Sequence, residues 1–348
     1  MDAWDVVVVG GTVAGLRAAI SAHDSGASVL VIEEGALGSA GSSISVEGLA
    51  ASVNESNNNS HANDTIATGA GICDESTVRN RTGSSFDHLA EMERWGLILR
   101  RTSNGTPYLI SGPGHNIARV ATTGDTTGRE IYSILQEQCM KRSILRRSDT
   151  QAINLVVDGN SVVGLITIDV QRGDLVSIQA KSVILATDGF ESAWNGGSGG
   201  TGLWLAQDAG IELSNMEFVA WNPLSMSVHG LQFPFALLND GATVRAASGE
   251  NVEFPDDGGL FSASQSLVST EQQCVLDARV LNRGTPTWYS DTSERVSSML
   301  GGQLTETVVP ISPRVSTTLG GIPCDATGRV PDIIGLYAAG DCACSGFH

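Results

Sequence analysis

The chain is short of lysine, of paired cysteine motifs and of long apolar runs, and each shortage excludes something. Lysine occurs only at Lys141 and Lys181 among 20 basic residues, and the formal net charge is -18. A chain so acidic offers no field for a polyanion, so nucleic acid is excluded as a partner, and the lysine-poor surface suits a salt-rich cytoplasm. No uninterrupted apolar stretch is long enough to cross a bilayer, so direct membrane insertion is not expected. Neither a basic n-region nor an apolar h-region precedes the first apolar strand, so no secretory signal is expected and the chain is read as cytoplasmic. The cysteines (Cys73, Cys139, Cys274, Cys324, Cys342, Cys344) are scattered without a C-x-x-C pair. That spacing holds neither zinc nor an iron–sulfur cluster, so free thiols and no metal are expected. Cys342 and Cys344, two apart, merely share one face of a strand.

What the chain has in plenty is glycine, 41 residues of 348, enough for many tight turns and close approaches of backbone to a ligand. The length suffices for one large domain or two modest ones. The first glycines fall in Asp5 to Glu34, DVVVVGGTVAGLRAAISAHDSGASVLVIEE. Val6 to Val9 read as a buried parallel strand, and Leu16, Ala19, Ile20 and Ala22 recur at helical spacing. Val29 to Ile32 form a second strand that ends in Glu33 and Glu34. Strand, glycine turn, helix, strand and acid is the order that binds a dinucleotide. Glycines admit the pyrophosphate, the helix N-terminus supplies N–H groups, and the acid accepts from ribose hydroxyls. Read as G-x-G-x-x-G, the turn keeps Gly10 and Gly15 but has Thr12 at the middle glycine, where a side chain is expected to crowd the phosphates.

After Glu34 comes a glycine- and serine-rich loop, GALGSAGSSISVEGLAAS, able to wrap a flat ligand with backbone amides. Asn54 to Asp64 is polar and low in complexity, and is expected on the surface. Ser76 to Gly96 reads as one helix, with Phe86, Leu89, Met92 and Trp95 at three-residue steps. Thr122 to Arg142 holds a second, with Thr127 as N-cap and Glu130 at the capping-box spacing. From Ala152 the period becomes strand-like, a meander with turns at Asp158-Gly159 and Arg172-Gly173. Its last strand runs into Thr187-Asp188-Gly189, and Leu203 to Ala209 reads as a helix. Beyond Pro223 the pattern is irregular to about Ser316, which suggests an inserted domain. Ile333 to Ala339 is one more buried strand, ending in Gly340-Asp341. A helix is expected to follow it, and the chain instead ends seven residues later.

With these pieces in place, the chain resembles the flavoprotein family of succinate dehydrogenase, fumarate reductase and L-aspartate oxidase over nearly its whole length. Val7 to Gly15 looks like the family's FAD turn, and SVILATDGF (Ser182 to Phe190) resembles its second strand-turn. GIELSNMEFVAWNP (Gly210 to Pro223) is similar to the lead into the substrate-capping domain, and LGGIPCDATGRVPDIIGLYAAGDCACSGFH (Leu319 to His348) to the return segment. HANDTIATGAGICDESTVR (His61 to Arg79) and GHNIARVATTGDTTGREI (Gly114 to Ile131) look more like aspartate oxidase.

The resemblance implies an α/β fold: a doubly wound, Rossmann-like FAD-binding domain (1–221 and 316–348) with an inserted α+β capping domain (222–315), the C-terminal part missing. It implies that Gly10, Gly11, Thr12, Ala14 and Gly15 border the pyrophosphate and that Glu33, with Glu34 beside it, meets the ribose. Ser42, Ser43 and Gly48 would lie on the flavin side, with Ala186, Thr187, Gly189, Gly340 and Asp341 along the rest of the cofactor. The serine-glycine loop lacks the histidine that links FAD covalently in respiratory members, so FAD would be non-covalent. The implied reaction is hydride transfer between flavin N5 and a small dicarboxylate, succinate/fumarate or L-aspartate. The resemblance also admits an iron–sulfur partner subunit, through which the chain would be peripheral to the inner face of a membrane.

The active-site segments depart from the family pattern. Trp221-Asn222-Pro223-Leu224 stands where members have Phe-His-Pro-Thr, and Ser316 where they have a substrate-binding histidine before the Gly-Gly. An arginine suits both the clamping of carboxylates and, in an unusual environment, proton transfer. Arg279 and then Arg245 are the candidates for it, with His229 as a further carboxylate ligand. Asp188 replaces a glycine and either tunes the flavin or caps the next turn. A flavin-binding paralogue without turnover is the alternative to an active enzyme.

Overall fold

Val6 to Val9 can be a strand buried on both faces because no polar side chain interrupts the run, and the chain places it at the centre of a sheet. The computed structural model describes residues 2–35, 42–52, 55–195, 199–255, 258–281 and 285–347. By its contacts the chain divides into two compact units, one of residues 1–44, 131–219 and 317–345, the other of 45–130, 220–316 and 346–348.

The first unit follows chain order through β1 (Asp2–Val9), α1 (Val13–Asp24), β2 (Val29–Ile32), β3 (Leu145–Arg147), β4 (Thr150–Asp158), β5 (Ser161–Asp169), β6 (Leu175–Leu185), α2 (Thr201–Asp208) and β7 (Leu336–Ala338). They form a seven-stranded sheet in the order β3-β2-β1-β6-β5-β4, with β7 also on β6. β1 pairs in parallel with β2 and β6, β2 with β3, and β6 with β7. The β4-β5-β6 meander is antiparallel, as its alternating sequence predicts, with Gly159 at φ +57° and Gly173 at φ +77° in its turns. β6 is long enough to serve both halves: Leu175 to Gln179 face β5, and Val183 to Leu185 face β7. Val7, Leu30, Leu165, Val183 and Leu185 are sealed in its core at 0% exposure. Each such aliphatic side chain contributes about 1.5–3 kcal/mol by leaving water.

The second unit joins two distant stretches around one core, in which Ile110 from the first packs with Leu224, Phe233, Leu276, Tyr289 and Val296 from the second. Strands Thr243–Ala246, Cys274–Asp277 and Val309–Ile311 make an antiparallel sheet, and helices Gly259–Val268 and Ser290–Leu300 accompany it.

Three local expectations change here. Glu55–Thr68 is a helix that buries His61, Ala62 and Asp64, so the polar run is structured because its polar groups find partners. The Ser76–Gly96 helix is two, Glu75–Gly83 and Ser85–Trp95; Leu89 and Met92 are buried, but Phe86 is exposed. Thr127 is the first helical residue of Thr127–Lys141, and it is Thr126 whose hydroxyl reaches Glu130, at 2.7 Å. Among the described residues no helix is long and apolar enough to cross a membrane.

Candidate functional site

The first unit has a cavity of about 410 Å³ where β1 and β2 end. It is lined by Gly10, Gly11, Thr12, Glu33 and Glu34, and opposite them by Thr150 to Ala152, Thr187, Asp188 and Gly199 to Thr201. The glycines are there because nothing larger fits. Gly10 sits at φ +113°, and a Cβ on it would lie 2.3 Å from the Ala186 carbonyl oxygen. A Cβ on Gly15 would lie 2.0 Å from the Gly10 carbonyl oxygen, and one on Gly11 would strike the Glu33 carboxyl at 2.2 Å. Strand end, turn and first helical turn are thereby drawn together, which aims backbone at the cavity in place of side chains.

Thr12 lines that space with its hydroxyl bonded into the protein. It is the N-cap of α1, with its hydroxyl donating to the Ala186 carbonyl at 2.7 Å and accepting the Gly15 N–H at 3.1 Å. A threonine that turns its hydroxyl into the protein does a capping residue's work at a position where a glycine was expected.

Glu33 is 6% exposed, and its Oε1 accepts from Arg146 Nε at 2.8 Å and Nη2 at 2.6 Å. Burial raises its pKa, while Arg146 opposes the rise. Oε2 lies against Gly11, on the cavity side. Glu34 is exposed and accepts from Gln151 Nε2 and Thr201 Oγ1, both at 3.0 Å. Arg146 was not anticipated. It sits on the edge strand β3, whose pairing with β2 no local pattern announces.

Ala186 continues β6 by donating its N–H to the Val9 carbonyl. Thr187 Oγ1 accepts the Gly202 N–H at 3.1 Å, which ties this turn to α2. A Cβ on Gly189 would fall 2.0 Å from Thr318 Oγ1, and one on Gly340 would fall 2.8 Å from the Ala14 methyl. The Gly340-Asp341 turn thus lies close to the start of α1. Asp341, Asp188 and Glu191 each bring one carboxylate oxygen within 4.8 Å of the others. Burial raises the pKa of Glu191, helped by the charges of Asp188 and Asp341. Cys342 beside them is buried and its thiol is pushed up to about 12, which makes it an inert core residue.

Ser42 and Ser43 belong to a short 3-10 turn, Ser42–Ser45, and their side chains lie outside the described ones, as do residues 36–41. Gly48 belongs to the second unit, where a Cβ would meet Val120 Cγ1 at 2.6 Å.

The three candidate catalytic residues are all in the second unit. Arg279 is 48% exposed and grips Asp277 through Nε at 2.9 Å and Nη2 at 2.8 Å, while Arg245 approaches the same carboxylate at 3.5 Å. Asp277 is 1% exposed, and its hydrogen bonds from Arg279 lower its pKa. Two arginines that sequence reasoning left as alternatives therefore share one buried carboxylate. His229 is exposed in a turn. Asn222 is buried at 4%, and Ser316 Oγ donates to the Ala220 carbonyl at 3.3 Å. Asp240 anchors a network: Arg100 at 2.6 and 3.0 Å, Tyr108 at 2.8 Å and Tyr289 at 2.5 Å all donate to it.

A glycine turn without room for Cβ atoms, a capped helix at its end and a buried acid after the second strand define a dinucleotide-binding α/β protein. The FAD binding domain family model matches residues 5–348, and the chain belongs to that family, with the FAD-dependent oxidoreductases related to succinate dehydrogenase, fumarate reductase and L-aspartate oxidase. It is 30% identical to the L-aspartate oxidase of Mesorhizobium japonicum over 362 residues, covering 98% of this chain and 69% of that one. To the L-aspartate oxidase of Mycobacterium tuberculosis it is 29% identical over 373 residues, covering 100% and 69%. Among solved structures it is similar to E. coli quinol fumarate reductase, with a TM-score of 0.92 and 23% identity over 100% of this chain and 66% of that one, a likeness of fold. The chain thus spans about two thirds of the length of the relatives it matches.

Proposed function

We propose that the chain holds FAD without a covalent bond and oxidises a small dicarboxylate beside one of its carboxylates, L-aspartate first and succinate second. The observation that carries this reading is the Gly10–Gly15 cradle with Glu33 at its rim: the residues fit an adenine dinucleotide by shape and by donor set. Gly10, Gly11 and the first turn of α1 would take the pyrophosphate on backbone N–H groups, and Glu33 Oε2 would accept from the ribose. The absence of histidine from Gly35 to Ser52 supports non-covalent attachment. The flavin, when bound, supplies the acceptor for hydride. Arg279 and Arg245 would pair with a substrate carboxylate through the guanidinium faces they expose, Asp277 holding both in position. L-aspartate comes first because the relatives at 27–30% identity are L-aspartate oxidases. An iron–sulfur partner, and a peripheral place on a cytoplasmic membrane face through it, go with the succinate reading.

We keep 222–315 as the inserted capping segment; chain crossings between the compact units at 219/220 and 316/317 support those bounds. A flavin-binding paralogue without turnover is the second reading, favoured by the commitment of both arginines to Asp277. The purified protein decides between them. A flavin band near one equivalent that bleaches anaerobically with L-aspartate or succinate is expected. A band that neither substrate bleaches would leave the paralogue, and a colourless protein that takes up no added FAD would overturn both.

A further inference from the structure

The chain carries two adjacent acids at the end of β2, and the structure separates their roles. Glu34 is exposed and both of its carboxylate oxygens are taken, Oε1 by Gln151 Nε2 and Oε2 by Thr201 Oγ1. Glu33 is buried, and both donors it receives, Nε and Nη2 of Arg146, converge on Oε1. Among the described residues no other side chain bonds to its carboxylate, so Oε2 is left for the cavity that Gly10, Gly11 and Thr12 line. A guanidinium commonly meets a carboxylate fork to fork, with one N–H on each oxygen. Here the fork closes on one oxygen and leaves the other to a ligand.

Arg146 can do this because it is itself fixed. Its side chain is 9% exposed on β3, whose parallel pairing sets it opposite Val31, and Nη2 also reaches the Tyr132 hydroxyl at 3.4 Å. The Glu33 backbone is held separately: its N–H donates to the Arg147 carbonyl at 2.8 Å, and its carbonyl accepts the Thr150 N–H at 2.9 Å. The place of Glu33 is thus set by the main chain, and the aim and charge of its carboxylate by Arg146. The neighbouring titratable groups are neutral or turned away. Burial raises both Tyr132 and Cys139, the thiol to about 11, so neither is charged near neutrality. Arg147 pairs with Asp2 and Arg142 with Asp24. Burial pushes Glu33 up, and Arg146 alone opposes it. All of these residues lie in the first unit.

We propose that Arg146 is the positioning residue of the dinucleotide site, holding Glu33 as an ionised acceptor with Oε2 presented to the ribose hydroxyls of the adenosine half. The proposal deepens the reading of this cavity as an FAD site and rests on it. An ionised carboxylate is an acceptor only, and its hydrogen bonds are about twice as strong as those of a neutral group; once protonated it loses the charge and becomes a donor. FAD affinity should therefore rise with pH as Glu33 ionises, and Arg146 sets where the rise falls. Without the guanidinium, burial is unopposed and the rise moves to higher pH.

The test titrates FAD into the flavin-free full chain between about pH 5 and 9, with quenching of flavin fluorescence as the readout. Arg146→Met should bind about tenfold or more weakly than wild type at about pH 6 and close most of that gap by about pH 9. Arg146→Lys, which returns the charge, should move the rise back toward wild type. Glu33→Gln should bind weakly throughout and show no rise. An Arg146→Met chain within about threefold of wild type across the range overturns the proposal. So does a deficit of equal size at every pH, which is the mark of a residue that only shapes the fold. Should Arg146→Met fail to fold, Arg146→Gln keeps a donor to Oε1 without the charge and is held to the same outcomes. Glu33→Gln binding as tightly as wild type overturns the proposal and leaves the FAD site standing. A wild-type chain that takes up no FAD overturns the FAD reading and the proposal with it, and the wild type alone shows which has failed.

Discussion

The two compact units differ in what they present to a ligand. The first presents backbone: Gly10, Gly11 and Gly15 have no space for a Cβ, and the polar side chains nearby, Thr12 and Glu33, are spent partly on holding the turn. The second presents side chains, and its charges are paired across long separations, Arg100 with Asp240 and Arg119 with Asp64. A backbone site tolerates little substitution but needs few residues. A side-chain network needs many, each dependent on the rest.

The largest expected effect lies in the second unit. Asp240→Ala leaves Arg100 and two tyrosine hydroxyls without their acceptor, and breaking such a buried pair costs about 3–5 kcal/mol. Urea unfolding followed by the near-ultraviolet signal measures it, and a cost below about 1 kcal/mol would show that water replaces the carboxylate. Next comes Gly15→Ala in the first unit, where a Cβ 2.0 Å from the Gly10 carbonyl oxygen forces the turn open. Overpacking of this kind costs about 1–3 kcal/mol, and flavin retention should fall away with it. Retained flavin at full stoichiometry would mean that the cradle yields more than its geometry implies. The smallest effect is Thr12→Gly. If Thr12 crowded the pyrophosphate, glycine would tighten FAD binding. Because its hydroxyl bridges Ala186 and Gly15, the variant should instead lose about 1 kcal/mol of stability with FAD affinity unchanged or weaker. Fluorescence titration of FAD and thermal unfolding together give the answer, and tighter binding would restore the crowding picture.

The same contrast governs what could be read from the sequence. The cradle of Gly10 and Gly15 is legible because one residue type fits each position, and the parallel sheet is legible because Val6 to Val9 of β1 and the whole of β2 are unbroken apolar runs. Arg146 on Glu33 is not legible, since it depends on a three-residue edge strand 113 positions away. Arg100 and Asp240 are 140 positions apart and nothing local couples them. Asn54 to Asp64 misled because polarity was read as exposure, whereas His61 and Asp64 are buried among partners: Ser52 Oγ faces the first, and Arg119 and Asn116 bond the second.

The order of strands in the first sheet also governs how the chain can be made. β1 has β2 on one side, but on the other side it has β6, where Val6 pairs with Ser182, and β6 in turn receives β7, where Val183 pairs with Leu336. Parallel pairings over such separations close slowly, because the loop entropy must be met before the contacts form. During synthesis the first strand leaves the ribosome long before its partner exists, with Val6 to Val9 exposed as an apolar, unpaired edge. Such a nascent chain is a natural client for a chaperone until β6 arrives.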